Sequence, residues 1–296
     1  MKYLIVLICV TVLSAYSFTE EKPQESSPVD PEYKEYWYNN EAEITSYHLE
    51  QARYGEIQEG QVAMVFVTEP FSRKSNTKAD NPTSSDVSVM KLNMTKKFYT
   101  GVYPYSMMMS SFFPFSDGKN SVKLSCSVQE WCGHTFTTMK EEKSGYTFGV
   151  DSYFEGESAD NVKTEKAHLE DDLWTKIRLM PDNLPTGSIK MIPSLFTIRL
   201  LHKETKVYDA SASIKEDGGN AIYTVNYPEL DRTLSITYEK AFPHKILGWE
   251  DNHFSGWGEK RKKLTTKASI LKTIKSNYWS KHSVADSTLR KELMLK

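Results

Sequence analysis

Glu130, Cys132 and His134 are the side chains of this 296-residue chain whose types and spacing point most directly at chemistry. They sit at i, i+2 and i+4 in the stretch Asn120 to Met139, NSVKLSCSVQEWCGHTFTTM. Read as one strand, alternation places Val122, Leu124, Cys126, Val128, Glu130, Cys132, His134 and Phe136 on one face, so an apolar face turns polar halfway along. Cysteine attacks as its thiolate, and a neighbouring imidazolium favours that form, so a thiol-dependent enzyme using Cys132 is one reading. Same-face neighbours on a strand are roughly 7 Å apart, too far for a hydrogen bond. A working pair then needs a histidine from another strand, such as His48, or a bulge at Gly133 that re-aims His134. The competing reading makes Cys126 and Cys132 small buried apolar side chains. Six strand residues separate them by roughly 20 Å, so a disulfide between them requires a sharp turn.

Other chemistries have less to stand on. A C-x-H pair matches no common zinc spacing and the seven histidines are scattered, so neither a metal nor a cofactor is expected. Glycine-rich phosphate loops and the H-E-x-x-H and G-x-S-x-G signatures are absent from the sequence. A formal charge of -2 gives no electrostatic reason to expect nucleic acid as a partner. Lys260 to Lys263, KRKK, reads as the solvated start of a strand. A second row of interest is Tyr105, Met107, Met109 and Phe113, on one face of a strand from Tyr103 to Phe115. It is either core packing or the wall of an apolar ligand cavity, where adaptable methionines are useful.

The elements that must position these residues are mostly strands. Hydrophobic content of 39% and charged content of 26% describe a globular chain. Lys2, the apolar run Tyr3 to Leu13 and the small residues before Phe18 predict a secretory signal peptide over 1–17, followed by a flexible leader over 18–31. After signal cleavage no segment is apolar enough to span a membrane. From residue 32 onward, dense aromatics (Tyr33, Tyr36, Trp37, Tyr38) precede strands expected at Glu43 to Arg53, Val62 to Val67, Val87 to Tyr99 and Tyr103 to Phe115. VAMVFV at Val62 to Val67 is apolar on both faces and reads as central. Pro70 to Asp86 reads as a long exposed loop.

Between Ala159 and Arg178 the positions Val162, Leu169, Leu173, Trp174 and Ile177 fall near one stripe, predicting a covering helix that Met180-Pro181 stops. Strands resume at Leu195 to Leu201, Lys206 to Ile214, Ala221 to Tyr227, Thr233 to Glu239, Lys245 to Trp249 and Leu264 to Ile274, with turns at Asp217 to Asn220 and Pro228 to Asp231. Ser283 or Asp286 caps a short C-terminal helix through Leu289, Leu293 and Leu295. The predicted fold is mainly β: large twisted antiparallel sheets, a half barrel being one form, with a helix near 159–178 across them. Residues 32–296 make a single large domain, or two sheets joined by that helix.

YWYNNEAEITSYHLEQARYGE (Tyr36 to Glu56), SVQEWCGHTFTTM (Ser127 to Met139), SYFEGE (Ser152 to Glu157) and LEDDLWTKIR (Leu169 to Arg178) resemble a family of exported bacterial proteins that carries the name septum formation inhibitor Maf. The resemblance implies a secreted, periplasmic or envelope-associated protein with a role in septum formation or cell-envelope assembly. True Maf nucleotide pyrophosphatases carry a Ser-x-Ser-Pro-Arg motif; here the one Ser-Pro, Ser27-Pro28, is followed by Val29, so no Maf catalytic residue transfers. A curled sheet leaves an apolar concave face, and a helix across it resembles periplasmic lipid carriers. The expected function is therefore a non-enzymatic binding module whose partner is an apolar small molecule or an envelope protein.

Overall fold

Hydrophobic alternation is carried through almost every strand, and the strands join into one sixteen-stranded sheet. The computed structural model describes residues 31–116 and 118–296. The expected signal peptide and all of the leader but Pro31 lie outside these residues. The first half is a meander of β1 (Ala42–Arg53), β2 (Glu56–Ser72), β4 (Val87–Thr100), β5 (Tyr103–Pro114), β6 (Lys123–Glu130), β7 (Gly133–Glu141), β8 (Gly145–Ser152) and β9 (Ala159–Glu165). The two-residue β3 (Thr77–Lys78) pairs with the end of β2, so the loop expected over 70–86 is shorter than read and partly strand.

The second half contains β10 (His168–Leu169), β11 (Gly187–Ile192), β12 (Tyr208–Asp217), β13 (Asn220–Tyr227), β14 (Arg232–Glu239), β15 (Ile246–Ser255) and β16 (Lys262–Ser276). Pairing is antiparallel except between β10 and β11. β16 pairs with β1 from Ala42 opposite Ser276 to Glu50 opposite Lys267, welding the two halves into one sheet where two had been an alternative. The free edges, β9 and β10, are consecutive in sequence. Lys190 of β11 reaches Glu165 of β9 at 3.0 Å, so the open sheet curls until its edges stand side by side.

The concavity is filled by its own chain. The helix expected over 159–178 is confined to its second part: 159–165 is strand β9, Glu170–Asp172 is a single 3-10 turn, and α2 spans Leu173–Leu179. The charged, alternating ADNVKTE pairs with β8 instead, which satisfies its backbone along an edge and leaves its side chains wet. Seven residues make a marginal helix alone. Burying Leu169, Leu173 and Ile177 contributes about 1.5–3 kcal/mol each, which outweighs that cost.

The apolar LFTIRLL, expected as a strand, is helix α3 (Leu195–Leu201). Pro193 and Ser194 precede it, and the Ser194 hydroxyl accepts the Phe196 N–H at 3.2 Å as an N-cap. Three consecutive buried acids pin these helices in three directions. Glu170 meets Arg232 of β14, Asp171 accepts the Leu195 N–H of α3 at 3.0 Å, and Asp172 accepts from the Ser121 N–H and hydroxyl at 2.7 and 2.5 Å.

The aromatics before β1 form α1 (Pro31–Trp37), which closes one end: Tyr36 donates to Glu43, and Arg178 of α2 pairs with the same buried carboxylate. On the outer face, α4 (Thr288–Glu292) follows a capping box between Ser283 and Asp286. It sets Leu293 against Ala42, Ile44 and Val67. β2 is thus covered on both faces, as its sequence predicts.

Candidate functional site at one end of the sheet

The stretch expected as one long strand is a hairpin. β6 ends at Glu130, Trp131 and Cys132 form the turn, and Glu130 pairs with Gly133 at the start of β7. The Glu130 carboxylate accepts the Cys132 N–H at 2.7 Å, a local side-chain bond that closes a turn with no glycine or asparagine at its centre. Reversal separates the residues that alternation had put on one face. Glu130 is buried inward, Cys132 is exposed at the tip, and His134 lies exposed opposite Gln129.

The carboxylate of Glu130 raises the Cys132 pKa, the opposite of thiolate activation. His48 is occupied elsewhere, 2.6 Å from Glu59 on the outer surface. Cys126 is buried and its thiol is pushed up by desolvation; both cysteines are free. Cys132, His134 and Glu130 therefore do not assemble as an activated thiol, and no cluster of metal-ligating side chains occurs among the described residues.

Tyr105, Met107, Met109 and Phe113 do share the inner face of β5, but as packed core, each almost fully buried. Phe98 stacks on Tyr105 at 4.6 Å and the Lys176 ammonium lies 5.9 Å from the Phe113 ring centre. Beneath α2 lies a small void of about 20 Å³, bounded by Lys96, Glu170, Phe196, Arg232 and Asp251. That is room for roughly one water. The ligand cavity expected behind the methionine row is occupied by the chain's own helices.

The interior opens at the end where β1 gives way to β2. Between α3 and the inner face of β7 to β9 lies a groove of about 390 Å³ whose apolar walls are Val150, Val162, Leu195 and Ile198 and which Glu157, Arg199 and Glu204 also line. It shares His202 and Lys203 with a recess of about 180 Å³ lined by Arg53, Leu200, Leu230, Phe254, Trp257 and Arg261. The recess brings together four basic side chains, Arg53, His202, Lys203 and Arg261, and no carboxylate lines it.

Arg53 is the unusual member. It is 6% exposed, donates to the Leu200 carbonyl at 2.5 Å and to the Tyr105 hydroxyl at 3.3 Å, and its guanidinium carbon lies 4.4 Å from the Tyr54 ring centre and 5.8 Å from that of Trp257. Among the described residues no carboxylate pairs with it. Every other arginine buried in the core has an acid: Arg178 has Glu43, Arg232 has Glu170 and Asp251, and Arg199 has Glu157 and Glu130. A buried cation without a counter-charge is costly, and a bound anion would relieve it. His202, the left-handed C-cap of α3, is held by Glu157 at 2.7 Å and sets its ring 6.2 Å from Trp257.

Sequence reading missed Arg53, because a lone arginine near a strand end carries no signature of burial. The signal that was present is its neighbourhood, Arg53-Tyr54-Gly55 beside a strand bearing Tyr103 and Tyr105. The Tyr54 hydroxyl is 2.6 Å from that of Tyr105 and 2.9 Å from that of Tyr103. Among the described residues no helix is long and apolar enough to cross a membrane. No family model, curated protein or solved structure matches the chain, so the reading of this site rests on its geometry.

Proposed function

We propose that this chain is an exported, envelope-associated binding protein without catalytic activity, and that its ligand is an anionic amphiphile. The anionic head enters the recess at Arg53 and Arg261, and the apolar body lies in the adjoining groove against Val150, Val162 and Ile198. The observation that carries this reading is the buried, acid-free guanidinium of Arg53. Size supports the division of labour. A recess of about 180 Å³ takes a carboxylate or phosphate head and little more, whereas the 390 Å³ groove falls in the range of small-molecule pockets, roughly 300–1,000 Å³.

Titration calorimetry with lauric acid against lauryl alcohol tests it. The acid is expected to bind and the alcohol to bind at least tenfold more weakly, one lost charge pair being worth about 1.4 kcal/mol or more. Arg53→Met is expected to abolish the difference while leaving the melting temperature close to that of the parent chain, since it removes an uncompensated charge. Equal affinity for acid and alcohol, or an unchanged preference in Arg53→Met, would overturn the proposal.

A further inference from the structure

We infer that the same end of the sheet docks on the surface of an anionic phospholipid bilayer, through a belt of aromatic side chains at its loop tips. The belt shares Trp257 and Arg261 with the rim of the recess and adds Trp131, Tyr153 and Val102 from other loops, so it stands whether or not the recess binds an amphiphile. Trp131, at the β6–β7 turn, is 68% exposed; Tyr153, just after β8, is 77% exposed; Trp257, in the β15–β16 loop, is 60% exposed. Val102, at the β4–β5 turn, and Tyr99 beside it are exposed as well. The strand directions bring all of these loops to one end, because β1, β4, β6, β8 and β15 run toward it and their successors run away.

The rings form a continuous run. Trp257 lies 5.3 Å from Tyr54, Tyr54 and Tyr103 share a hydrogen bond of 2.9 Å, and Tyr103 stacks on Trp131 at 6.1 Å. Tyr153 crosses the backbone of Gly133, where an added Cβ would come within 2.6 Å of its ring. Glycine at 133 thus lets Tyr153 lie against the turn that carries Trp131.

Exposed large aromatics on several separate turns are unusual on a surface meant only for water. Tyr and Trp are the residues that settle at headgroup depth, with an apolar ring and a polar atom on each. Charge selects the lipid. Lys260, Arg261 and Lys262 follow Trp257 with no carboxylate partner among the described residues; Lys263 is held by Asp231 at 2.7 Å, and Glu56, Glu155 and Glu259 are the exposed acids on these loops. Basic residues next to an anionic surface are each worth about tenfold or somewhat less in partitioning, an attraction that salt screens.

The test is flotation of the purified full chain with vesicles of phosphatidylcholine alone and of phosphatidylcholine mixed equally with phosphatidylglycerol. Binding is expected to the mixed vesicles and to weaken as salt is raised. Trp131→Ala and Tyr153→Ala, at exposed sites, are each expected to lower the partition coefficient by roughly tenfold or less. Trp279→Ala, an exposed tryptophan at the opposite end, is expected to change nothing. All variants keep the same N-terminal segment, so its contribution cancels. Trp131→Ala and Tyr153→Ala, which line neither cavity, should bind lauric acid like the parent chain, which separates this inference from the amphiphile site. The inference fails if the parent chain does not float, if Trp131→Ala and Tyr153→Ala float unchanged, or if Trp279→Ala is as damaging. It fails equally if the belt proves to be a protein or glycan interface, seen as loss of vesicle-independent capture in Trp131→Ala.

Discussion

Arg232 is the hub on which the plug of the sheet depends, and its removal should be more damaging than removal of either acid that it holds. Its Nη1 and Nη2 donate to Glu170 at 2.6 and 2.7 Å, while Nε and Nη2 donate to Asp251 at 2.7 and 2.9 Å. Glu170 also accepts the Tyr227 hydroxyl at 2.7 Å. In Glu170→Gln the arginine keeps both bonds to Asp251, and the amide can still accept from Tyr227. In Arg232→Met two carboxylates are left facing each other, with Asp171 close by.

Breaking a buried pair costs about 3–5 kcal/mol, so Arg232→Met belongs at the upper end, about 5, and Glu170→Gln near 2. For a chain of this size about 2 °C of melting temperature corresponds to each kcal/mol, giving losses of about 10 °C and about 4 °C. Calorimetric or circular-dichroism melts at pH 7 measure both. The double variant Arg232→Met with Glu170→Gln should melt above Arg232→Met, and lowering the pH toward 5 should narrow the deficit of Arg232→Met as its stranded acids take up protons. Equal losses in the two single variants, or a double variant no better than Arg232→Met, would refute the assignment of Arg232 as the hub.

Three further outcomes follow from other parts of the molecule. Burial pushes the Asp171 carboxyl up to about 7 from the ordinary 3.8. The folded chain therefore holds that proton more tightly than the unfolded one, and stability falls as pH rises through that interval and levels off above it. Asp171→Asn should lose this slope and gain stability above neutrality, and a denaturant series over pH 4–8 in which it tracks the parent chain would exclude the effect. Cys132 should be alkylated by iodoacetamide at neutral pH no faster than a free thiol, Cys126 only on unfolding, and Glu130→Gln should accelerate labelling of Cys132; fast labelling of the parent chain would revive the thiol-enzyme reading. Gly55 has φ +78° and a Cβ there would lie 2.2 Å from the Lys260 carbonyl, so Gly55→Ala should cost about 2 kcal/mol or more, measured by urea denaturation.

Periodicity of two made most of the sheet legible. β14 alternates Leu234, Ile236 and Tyr238 with polar residues, Asp217 to Asn220 turns a hairpin, and both occur where the sequence places them. Misreadings arose where two periods compete or where a tertiary partner decides. LFTIRLL is apolar enough for a buried strand or a buried helix, and the cap at Ser194 settles it. In residues 159–165 Val162 falls near the apolar stripe of a helix, yet the open edge of β8 recruits them as a strand. The hairpin at Trp131-Cys132 carries no turn signature, because its closing element is the side chain of Glu130 rather than a turn residue. The candidate site was least visible of all. Its meaning lies in an acid that is missing beside Arg53, and in loops from distant parts of the sequence whose convergence only the strand order reveals.

The pairing of the first and last long strands in the middle of the sheet has a consequence for how the chain is made. Thr45 and Thr273, 228 residues apart, share a hydrogen bond of 3.0 Å, so one edge of β1 has no partner until nearly the whole chain exists. During synthesis the first meander therefore carries a long, apolar, unpaired edge, the kind of surface that templates aggregation. A chain kept from folding until its C-terminal strand is available never offers that edge as a folded template. The last strand to emerge is the one that commits the fold.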